Sequence, residues 1–376
     1  MKKRSILLLL TLYVSIMAYS QDYYMYTGTY TNGQSEGIYI YKLSVPSGTS
    51  TLVDIIKGIE NPSYLAVSKD GLFLYAVSEG GSDHKGMISA YQLDPATGKA
   101  SFLNKKESRG DGPCYIAVSE NRKWVAVGNY GGGNLVTYAL DKEGKLTDQY
   151  QLVHHEGKGM NPKRQDKPHV HATIFTPDNK FLLVPDLGTD KVMIYSFNEK
   201  KNMPIGGTQQ GFAKITDGSG PRHLDFHPNG KWVYVIEEMG GTISSWKYSS
   251  GKLEKFQHVD AHPANYQGTR GSADIHISPD GKFLYASHRF EANNISIFAI
   301  DEKTGMLELV GFQELPGKKP RNFVIDPSGQ LLLVANQDSN DITLFKRDKE
   351  KGTLTVLPGT IQAGSPVCLK LVPINK

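Results

Sequence analysis

The chain has 376 residues, of which 39% are hydrophobic and 21% are charged, and its formal net charge is +4. This composition supplies enough apolar side chains for a large core and excludes a chain that is disordered along most of its length. Its two cysteines cannot cross-link a chain of this length, and they exclude a cysteine-based zinc cluster.

The N-terminus has the features of an export signal. A basic start at residues 2–4 precedes an apolar run over residues 6–18, and small side chains stand before a cleavage point ahead of Gln21. The apolar run is shorter than the roughly 20 residues that span a bilayer, so an uncleaved membrane anchor is the less favoured alternative. We therefore predict a signal peptide at residues 1–20 and a periplasmic or secreted mature chain of residues 21–376, without a membrane span.

Cleavage would also change what the charge implies. Residues 1–20 hold three basic and no acidic side chains, so the net charge would fall from +4 to +1. A nearly neutral mature chain gives no electrostatic reason to expect nucleic acid or an anionic membrane surface as a partner.

A sequence repeat of about 50 residues recurs along the mature chain, and repeats of this period are typical of propellers and solenoids. Each copy has a proline-like start, an alternating strand, a turn such as Pro-Asp-Gly, and a second strand of aromatic and β-branched residues. A third strand and a weaker fourth strand follow. Six copies are recognisable, and their equivalent starting positions are Pro62, Pro113, Val170, Pro221, Ser272 and Pro320.

Four antiparallel strands per repeat indicate a propeller blade. A seventh copy, which starts at Gly364, breaks off after one strand, and the mature N-terminus offers the strands YYMYTGTY and EGIYIYKL before the first complete copy. Strands from both termini would together complete a last blade and remove the unpaired edges of an open ring. We therefore predict an all-β, seven-bladed β-propeller that forms one domain over residues 21–376.

Two positions in the repeat carry polar side chains that depart from the apolar pattern. We expect these side chains to converge on the central channel and line a polar pocket, although any one of them alone has a structural alternative as a cap of a loop. The first position, directly after the proline-like residue, holds Ser63, Cys114, His171, Arg222, Ala273 and Arg321. The second position, at the end of the second strand, holds Ser78, Asn129, Asp186, Glu237, His288 and Asn336.

Four long motifs resemble those of the lactonase propellers, which include the propeller type of 6-phosphogluconolactonase and the fungal 3-carboxy-cis,cis-muconate lactonizing enzyme. They are KPHVHATIFTPDNKFLLVPDLGTDKV, GSGPRHLDFHPNGKWVYVIEE, RGSADIHISPDGKFLYASHR and PRNFVIDPSGQLLLVANQ. The resemblance covers nearly the entire mature chain. It implies a site in the central cleft that needs no metal or cofactor and is built from a histidine, two arginines and a glutamate.

By motif, the catalytic residues that this resemblance implies are His171, Arg222, Glu237 and Arg289. Arg270 lies close in sequence to Arg289 and is the alternative for the second arginine. The further candidates for substrate binding are Asp186, His223, Arg270, His288, Arg321 and Asn336.

Such a set has the chemistry that lactone hydrolysis requires. The reaction needs a held water molecule, a base that takes its proton, and positive donors for the oxyanion that develops on the carbonyl. Glu237 and His171 are the candidates for the base, and Arg222 and Arg289 are suited to bind an oxyanion, carboxylate or phosphate. The expected partner is a small-molecule lactone. For an exported protein, an unphosphorylated sugar lactone is an alternative to 6-phosphogluconolactone.

Two other functions remain open at this point. A propeller that only binds a partner has the same architecture, because the fold alone does not specify function. A lactonizing or isomerising enzyme that acts on a carboxylated substrate would use the same arginines.

Two local features have a simpler interpretation. His169 and His171 share one side of a strand, but no carboxylate cluster accompanies them, so we predict no metal site. The basic loop around residues 158–167 is interpreted as a solvated loop, with a rim that attracts an anionic substrate as the alternative.

Overall fold

A computed structural model describes residues 22–45, 47–80, 86–206 and 211–374. The predicted signal peptide at residues 1–20 lies outside the described residues. Within the described ranges the regular structure consists of strands, and no helix is long and apolar enough to cross a membrane.

The strands are numbered in chain order. The first seven are β1 (Asp22–Thr29), β2 (Gly37–Ser44), β3 (Thr49–Lys57), β4 (Leu65–Val67), β5 (Phe73–Ser78), β6 (Met87–Leu93) and β7 (Ala100–Glu107). The next seven are β8 (Pro113–Val118), β9 (Trp124–Asn129), β10 (Asn134–Leu140), β11 (Leu146–His154), β12 (Ile174–Phe175), β13 (Phe181–Asp186) and β14 (Lys191–Ser196). These are followed by β15 (Phe212–Lys214), β16 (Pro221–Phe226), β17 (Trp232–Glu237), β18 (Thr242–Ser249), β19 (Lys252–Asp260), β20 (Ser272–Ile277) and β21 (Phe283–His288). The last seven are β22 (Asn294–Ile300), β23 (Leu307–Glu314), β24 (Pro320–Ile325), β25 (Leu331–Asn336), β26 (Asp341–Arg347), β27 (Leu354–Gln362) and β28 (Pro366–Pro373).

These strands form seven four-stranded antiparallel sheets, each of which is one blade of a propeller. Blades 1 to 6 take four consecutive strands each, starting with β4 in blade 1 and β24 in blade 6. The innermost strands contact one another in sequence, from β16 to β20 and β24 and on to β28 and β4, and so surround a central channel. The predicted seven-bladed fold is confirmed.

Blade 7 is closed by both ends of the chain. Strand β28 pairs antiparallel with β1, from Tyr23 opposite Pro373 to Thr29 opposite Pro366, and β2 and β3 complete the sheet. This pairing satisfies the backbone groups that an open ring would leave unpaired. The predicted closure by N- and C-terminal strands is confirmed.

A tyrosine hydroxyl joins neighbouring blades at equivalent positions. Tyr75, Tyr234 and Tyr285 are fully buried on the second strands of blades 1, 4 and 5, and each donates a hydrogen bond to a glycine carbonyl of the next blade at 2.7–3.0 Å. A buried tyrosine needs such a partner, because an unpaired hydroxyl would pay its desolvation penalty. The repeat therefore sets the spacing between blades as well as their internal pairing.

Candidate active site

One backbone hydrogen bond, repeated in all seven blades, holds the residue that follows the second strand beside the start of the innermost strand. The residue that directly follows the second strand donates its N–H to the carbonyl just before the proline-like residue, as Glu238 does to Gly220 at 2.8 Å. The residues held in this way are Tyr30, Glu79, Tyr130, Leu187, Glu238, Arg289 and Gln337.

The residue one position earlier, at the end of the second strand, turns into its own blade. Glu237 accepts hydrogen bonds from Thr242 Oγ1 at 2.6 Å and from His258 Nε2 at 3.0 Å, and both partners belong to blade 4. Asn129 Nδ2 donates to Asn134 Oδ1 at 2.6 Å in blade 2. These side chains connect the second, third and fourth strands, and they do not line the channel.

Glu237 is therefore not part of the cavity at the channel mouth, contrary to the expectation from the sequence. Successive side chains of a strand point to opposite sides, so a displacement of one residue moves a side chain from the channel to the blade interior. Glu238 occupies the place at the cavity that the sequence analysis gave to Glu237.

The cavity has a volume of about 370 Å³ and lies where the innermost strands begin. Its polar and ionisable lining is contributed by Glu79, Asp111, Cys114, Tyr130, Arg164, His171, Glu238, Arg289 and Arg321. Four of these residues, Glu79, Tyr130, Glu238 and Arg289, occupy the position after the second strand, and three, Cys114, His171 and Arg321, occupy the first polar position of the repeat. The first position thus contributes to this cavity in three blades.

Glu238 is the centre of an ionic cluster. Its Oε2 lies 3.0 Å from Arg222 Nε and 3.2 Å from Arg289 Nη2, and its Oε1 lies 2.7 Å from Arg164 Nη2. Burial alone would raise the pKa of Glu238, but the positive charges of Arg289 and Arg222 hold this pKa well below its usual range. Glu238 is therefore a carboxylate that holds three guanidinium groups in place.

Arg222 and Arg289 are themselves buried, with 2% and 6% of their surface exposed. Arg222 lies in a β-bulge of β16, where the register shifts between Pro221 and Leu224, and such bulges redirect side chains. Arg289 Nε donates to the Gly271 carbonyl at 3.0 Å, and burial lowers the pKa of Arg289 to about 10. Both arginines stay charged at neutral pH and are held in place by Glu238 and by backbone carbonyls.

His171 lies beside this cluster. Its Nε2 is 3.9 Å from Glu238 Oε2, and its Nδ1 is 3.7 Å from Cys114 Sγ. Burial and the charge of Arg222 hold the pKa of His171 well below its usual range, so its imidazole is neutral. Burial also raises the pKa of Cys114 to about 12, which keeps its thiol protonated and a poor nucleophile.

The opposite side of the cavity has a different arrangement. Arg321 lies over the ring of Tyr30, 5.4 Å from its centroid, and among the described residues no carboxylate is within 4.0 Å of the guanidinium. The hydroxyl of Tyr30 donates to Glu79 Oε1 at 3.0 Å. These residues come from blades 6, 7 and 1, which lie across the ring from blades 3 to 5.

Five of the six predicted substrate-binding residues lie outside the cavity lining, and four of these are engaged elsewhere in their blades or loops. Asp186 accepts hydrogen bonds from the backbone N–H groups of His169 and Gly188, and its Oδ2 lies 2.7 Å from His155 Nδ1. Its carboxylate therefore holds the segments around these three residues together. Arg270 forms a two-pronged ion pair with Asp260 at 3.1 and 2.9 Å. The remaining two, His288 and Asn336, bond to neighbouring strands within blades 5 and 6.

His223 lies deeper in the channel, below Arg222. Its Nδ1 is 2.7 Å from Asp274 Oδ1, and Asp274 Oδ2 is 3.1 Å from His276 Nε2. Burial and the charge of Arg222 lower the pKa of His223 to about 4, whereas Asp274 raises the pKa of His276 to about 10 against the effect of burial. The middle of the channel is therefore filled by a neutral histidine, a carboxylate and an imidazolium.

Sequence reasoning missed Glu79, Tyr30, Arg164 and Glu238. Arg164 belongs to the basic loop that was interpreted as solvated, and it reaches Glu238 from 74 positions away in the chain. The other three occupy the position after the second strand, so a comparison of that position across the copies would have added them as candidates beside the residues one place earlier. Within the described ranges, no group of three or more His, Cys, Asp or Glu side chains is arranged to hold a metal ion.

Comparison with known proteins gives consistent results. The family model described as Lactonase, 7-bladed beta-propeller, matches residues 24–371. A 6-phosphogluconolactonase of Formosa agariphila is 37% identical over 89% of this chain and 95% of its own length. A 6-phosphogluconolactonase of Bacillus subtilis is 33% identical over 93% of this chain and 98% of its own.

A solved structure shows the same similarity in three dimensions. The periplasmic gluconolactonase PpgL of Pseudomonas aeruginosa superposes with a TM-score of 0.88, at 32% sequence identity, over 94% of this chain and 100% of its own. Together with the seven blades, these matches establish that the chain belongs to the seven-bladed β-propeller lactonase family.

Proposed function

We propose that the protein hydrolyses the ester bond of a small sugar lactone in the cavity at the mouth of the channel. The observation that carries this proposal is the cluster of Arg222, Arg289 and His171 around the Glu238 carboxylate, all on the wall of one cavity or directly behind it. The names of the relatives, two 6-phosphogluconolactonases and a gluconolactonase, support the same reaction class.

The roles follow from the electrostatics. Attack by water turns the lactone carbonyl into an oxyanion, and fixed cationic donors in a site shielded from water stabilise that charge most effectively. Arg222 and Arg289 are such donors, because Glu238 and backbone carbonyls hold their guanidinium groups before substrate arrives. The neutral imidazole of His171 is suited to hydrogen-bond the substrate. Neither a metal ion nor a covalent nucleophile takes part in this mechanism.

The charge balance of the cavity favours an anionic substrate. Four guanidinium groups, those of Arg164, Arg222, Arg289 and Arg321, surround the site. Among the residues that the structure describes, the negative charge there comes from Glu79, Glu238 and the exposed Asp111. Arg321 has no carboxylate partner among the described residues, and guanidinium groups bind phosphate and carboxylate through paired donors. 6-Phosphogluconolactone is the reference substrate, and unphosphorylated gluconolactone is the alternative for an exported protein.

The test is proton release by purified residues 21–376 with each of the two lactones, corrected for spontaneous hydrolysis. We expect turnover of at least one lactone, and the ratio of the two rates shows whether a phosphate is recognised. Absence of acceleration with both lactones would contradict the proposal and favour a binding propeller or a lactonizing enzyme.

We also propose export to the periplasm or the medium through cleavage after residue 20. The support is the N-terminal sequence pattern and the similarity to a periplasmic gluconolactonase. Cell fractionation followed by N-terminal sequencing tests it, and a cytoplasmic protein that retains Met1 would contradict it.

A further inference from the structure

The cavity contains two glutamates on opposite sides of the channel, and they differ in what surrounds them. Glu238 in blade 4 is held by three guanidinium groups. Glu79 in blade 1 receives one side-chain hydrogen bond, from Tyr30, and within the described ranges no cationic group lies within 4.0 Å of its carboxylate. Its Oε2 has no hydrogen-bond donor there, and the residue is partly exposed to the cavity.

This difference determines which group can accept a proton. A general base needs a free lone pair beside the attacking water and a proton affinity suited to the working pH. Glu238 fails on both counts, because its oxygens are engaged by Arg222, Arg289 and Arg164 and its pKa is held well below the usual range. His171 has its Nδ1 beside the Cys114 thiol and its Nε2 beside Glu238. Its low pKa also makes it a weak base.

Glu79 meets the geometric requirement. The ring of its neighbour Tyr30 lies beneath the Arg321 guanidinium, and Glu79 lines the same cavity as Cys114 and Arg289. Blade 1 and blade 4 are three places apart in a ring of seven, so a substrate in the cavity lies between Glu79 and the cluster of Glu238. A water molecule on the Glu79 side would then approach the face of the carbonyl that is away from the arginines.

We propose, resting on the lactonase function above, that Glu79 is the general base that activates the attacking water and that Tyr30 positions it. The Glu79 carboxylate takes a proton from water while the water oxygen forms a bond to the carbonyl carbon, and the carbonyl electron pair moves to the oxygen held by the arginines. When this intermediate collapses, the bond between the carbonyl carbon and the ring oxygen breaks. The ring oxygen takes the proton back from Glu79, and the product is a hydroxy acid that ionises in water.

Tyr30 has two contacts that suit a positioning role. Its hydroxyl hydrogen-bonds one oxygen of Glu79 and so leaves the other oxygen for water. Its ring carries the Arg321 guanidinium through a cation–π contact, which holds this cation near the cavity without an ion pair to Glu79. Arg321 thus remains available for an anionic group of the substrate.

The first test compares Glu79→Gln with Glu60→Gln, an equally conservative change at an exposed glutamate before the same blade. In steady-state assays with the lactone that wild type hydrolyses, we expect Glu79→Gln to lower kcat by about a hundredfold or more and KM to change little. We also expect the acidic limb of the pH–rate profile to disappear, and formate to restore part of the activity of Glu79→Ala. Glu60→Gln should behave as wild type.

The second test uses Tyr30→Phe, which keeps the ring under Arg321 and removes the hydroxyl. Without this hydrogen bond the Glu79 carboxylate is no longer oriented toward the attacking water, so kcat should fall about tenfold while KM changes little. A purely structural role for Tyr30 would lower the melting temperature without lowering kcat selectively over KM. Product binding measured by calorimetry shows whether each variant retains a folded site.

The outcomes separate this inference from the function on which it rests. If wild type hydrolyses a lactone and Glu79→Gln retains more than a fifth of its kcat, or retains the acidic limb, the inference is wrong and the lactonase function stands. If wild type hydrolyses no lactone, the proposed function fails and the inference fails with it.

Discussion

Glu237 and Glu238 are consecutive residues whose carboxylates belong to separate networks. Glu237 is fully buried inside blade 4, where it accepts from Thr242 and His258, whereas Glu238 faces the channel and pairs with arginines from two blades and a loop. The alternation of side chains along β17 separates them. Of these two adjacent residues, Glu237 thus stabilises the blade and Glu238 holds the arginines of the candidate site.

The two glutamates should respond differently to the same substitution. We expect Glu238→Gln to lower kcat/KM for the lactone by about a hundredfold or more, because the arginines lose the charge that orients them. Glu237→Gln should change kcat/KM only a few-fold and should lower the free energy of unfolding by about 1–3 kcal/mol through a weakened buried hydrogen-bond network. Steady-state kinetics and urea unfolding of both variants provide the measurement. Equal losses of activity would show that the division between site and blade is incorrect.

Arg289 and Arg270 were alternatives for the second arginine, and their surroundings separate them. Arg289 lines the cavity, whereas Arg270 is paired with Asp260 outside its lining. We expect Arg289→Ala to reduce kcat about a hundredfold or more through loss of an oxyanion donor, and Arg270→Ala to leave kcat within a few-fold of wild type. The reverse order in a kinetic comparison would place the second arginine at Arg270.

Arg321 should discriminate between substrates by charge. It has no carboxylate partner among the described residues, so we expect Arg321→Gln to raise KM for 6-phosphogluconolactone about tenfold, since a charge-assisted contact is lost. KM for uncharged gluconolactone should stay nearly constant, and the salt dependence of KM should weaken. The same rise in KM for both lactones would argue against an anion subsite at Arg321.

The network in the middle of the channel predicts a pH dependence of stability. His276 lies between Asp274 and Asp225, which raise its pKa to about 10 from an ordinary value near 6.5. Because this pKa is raised in the folded state, protonated His276 stabilises the fold fully below pH 6.5. Its contribution decreases as the pH rises above that value and is lost beyond about pH 10. The difference in free energy of unfolding between wild type and His276→Gln should therefore shrink between pH 6 and pH 10.

Urea unfolding at several pH values measures this difference, and His154→Gln, at an exposed histidine, is the matched control. Asp274 makes the free energy of unfolding depend on pH in the acidic range as well. The charge of His276 and the hydrogen bond from His223 hold its pKa well below the usual range, against the effect of burial. Its stabilisation is present above about pH 4 and is lost as the pH falls further. A constant difference between wild type and His276→Gln across the range would contradict the assignment of charges.

Lactone hydrolysis should not depend on a divalent metal ion. The proposed chemistry uses arginines and a carboxylate, and within the described ranges no group of three or more His, Cys, Asp or Glu side chains is arranged to hold a metal ion. We expect prolonged dialysis against excess EDTA to leave kcat unchanged, measured in metal-free buffer. A strong loss that Ca²⁺ or Zn²⁺ restores would point instead to a metal ion in the cavity.

The sequence by itself determined the architecture. A repeat of about 50 residues with turn residues between alternating strands is a local property, and it predicted four strands per blade and closure by β1 and β28. The same repeat placed His171, Arg222 and Arg321 at one aligned position, directly after the proline-like residue, and the family resemblance singled out His171 and Arg222 as catalytic candidates.

Only the tertiary structure decided which neighbour faces the channel and which distant residues meet there. The apolar pattern of β17 ends before the two glutamates. It therefore does not show whether Glu237 or Glu238 points into the channel. Arg164 approaches Glu238 across 74 positions, and Tyr30 approaches Glu79 across 49, because ring closure brings separate blades together. Such contacts depend on the curvature of the whole ring, which no local pattern records.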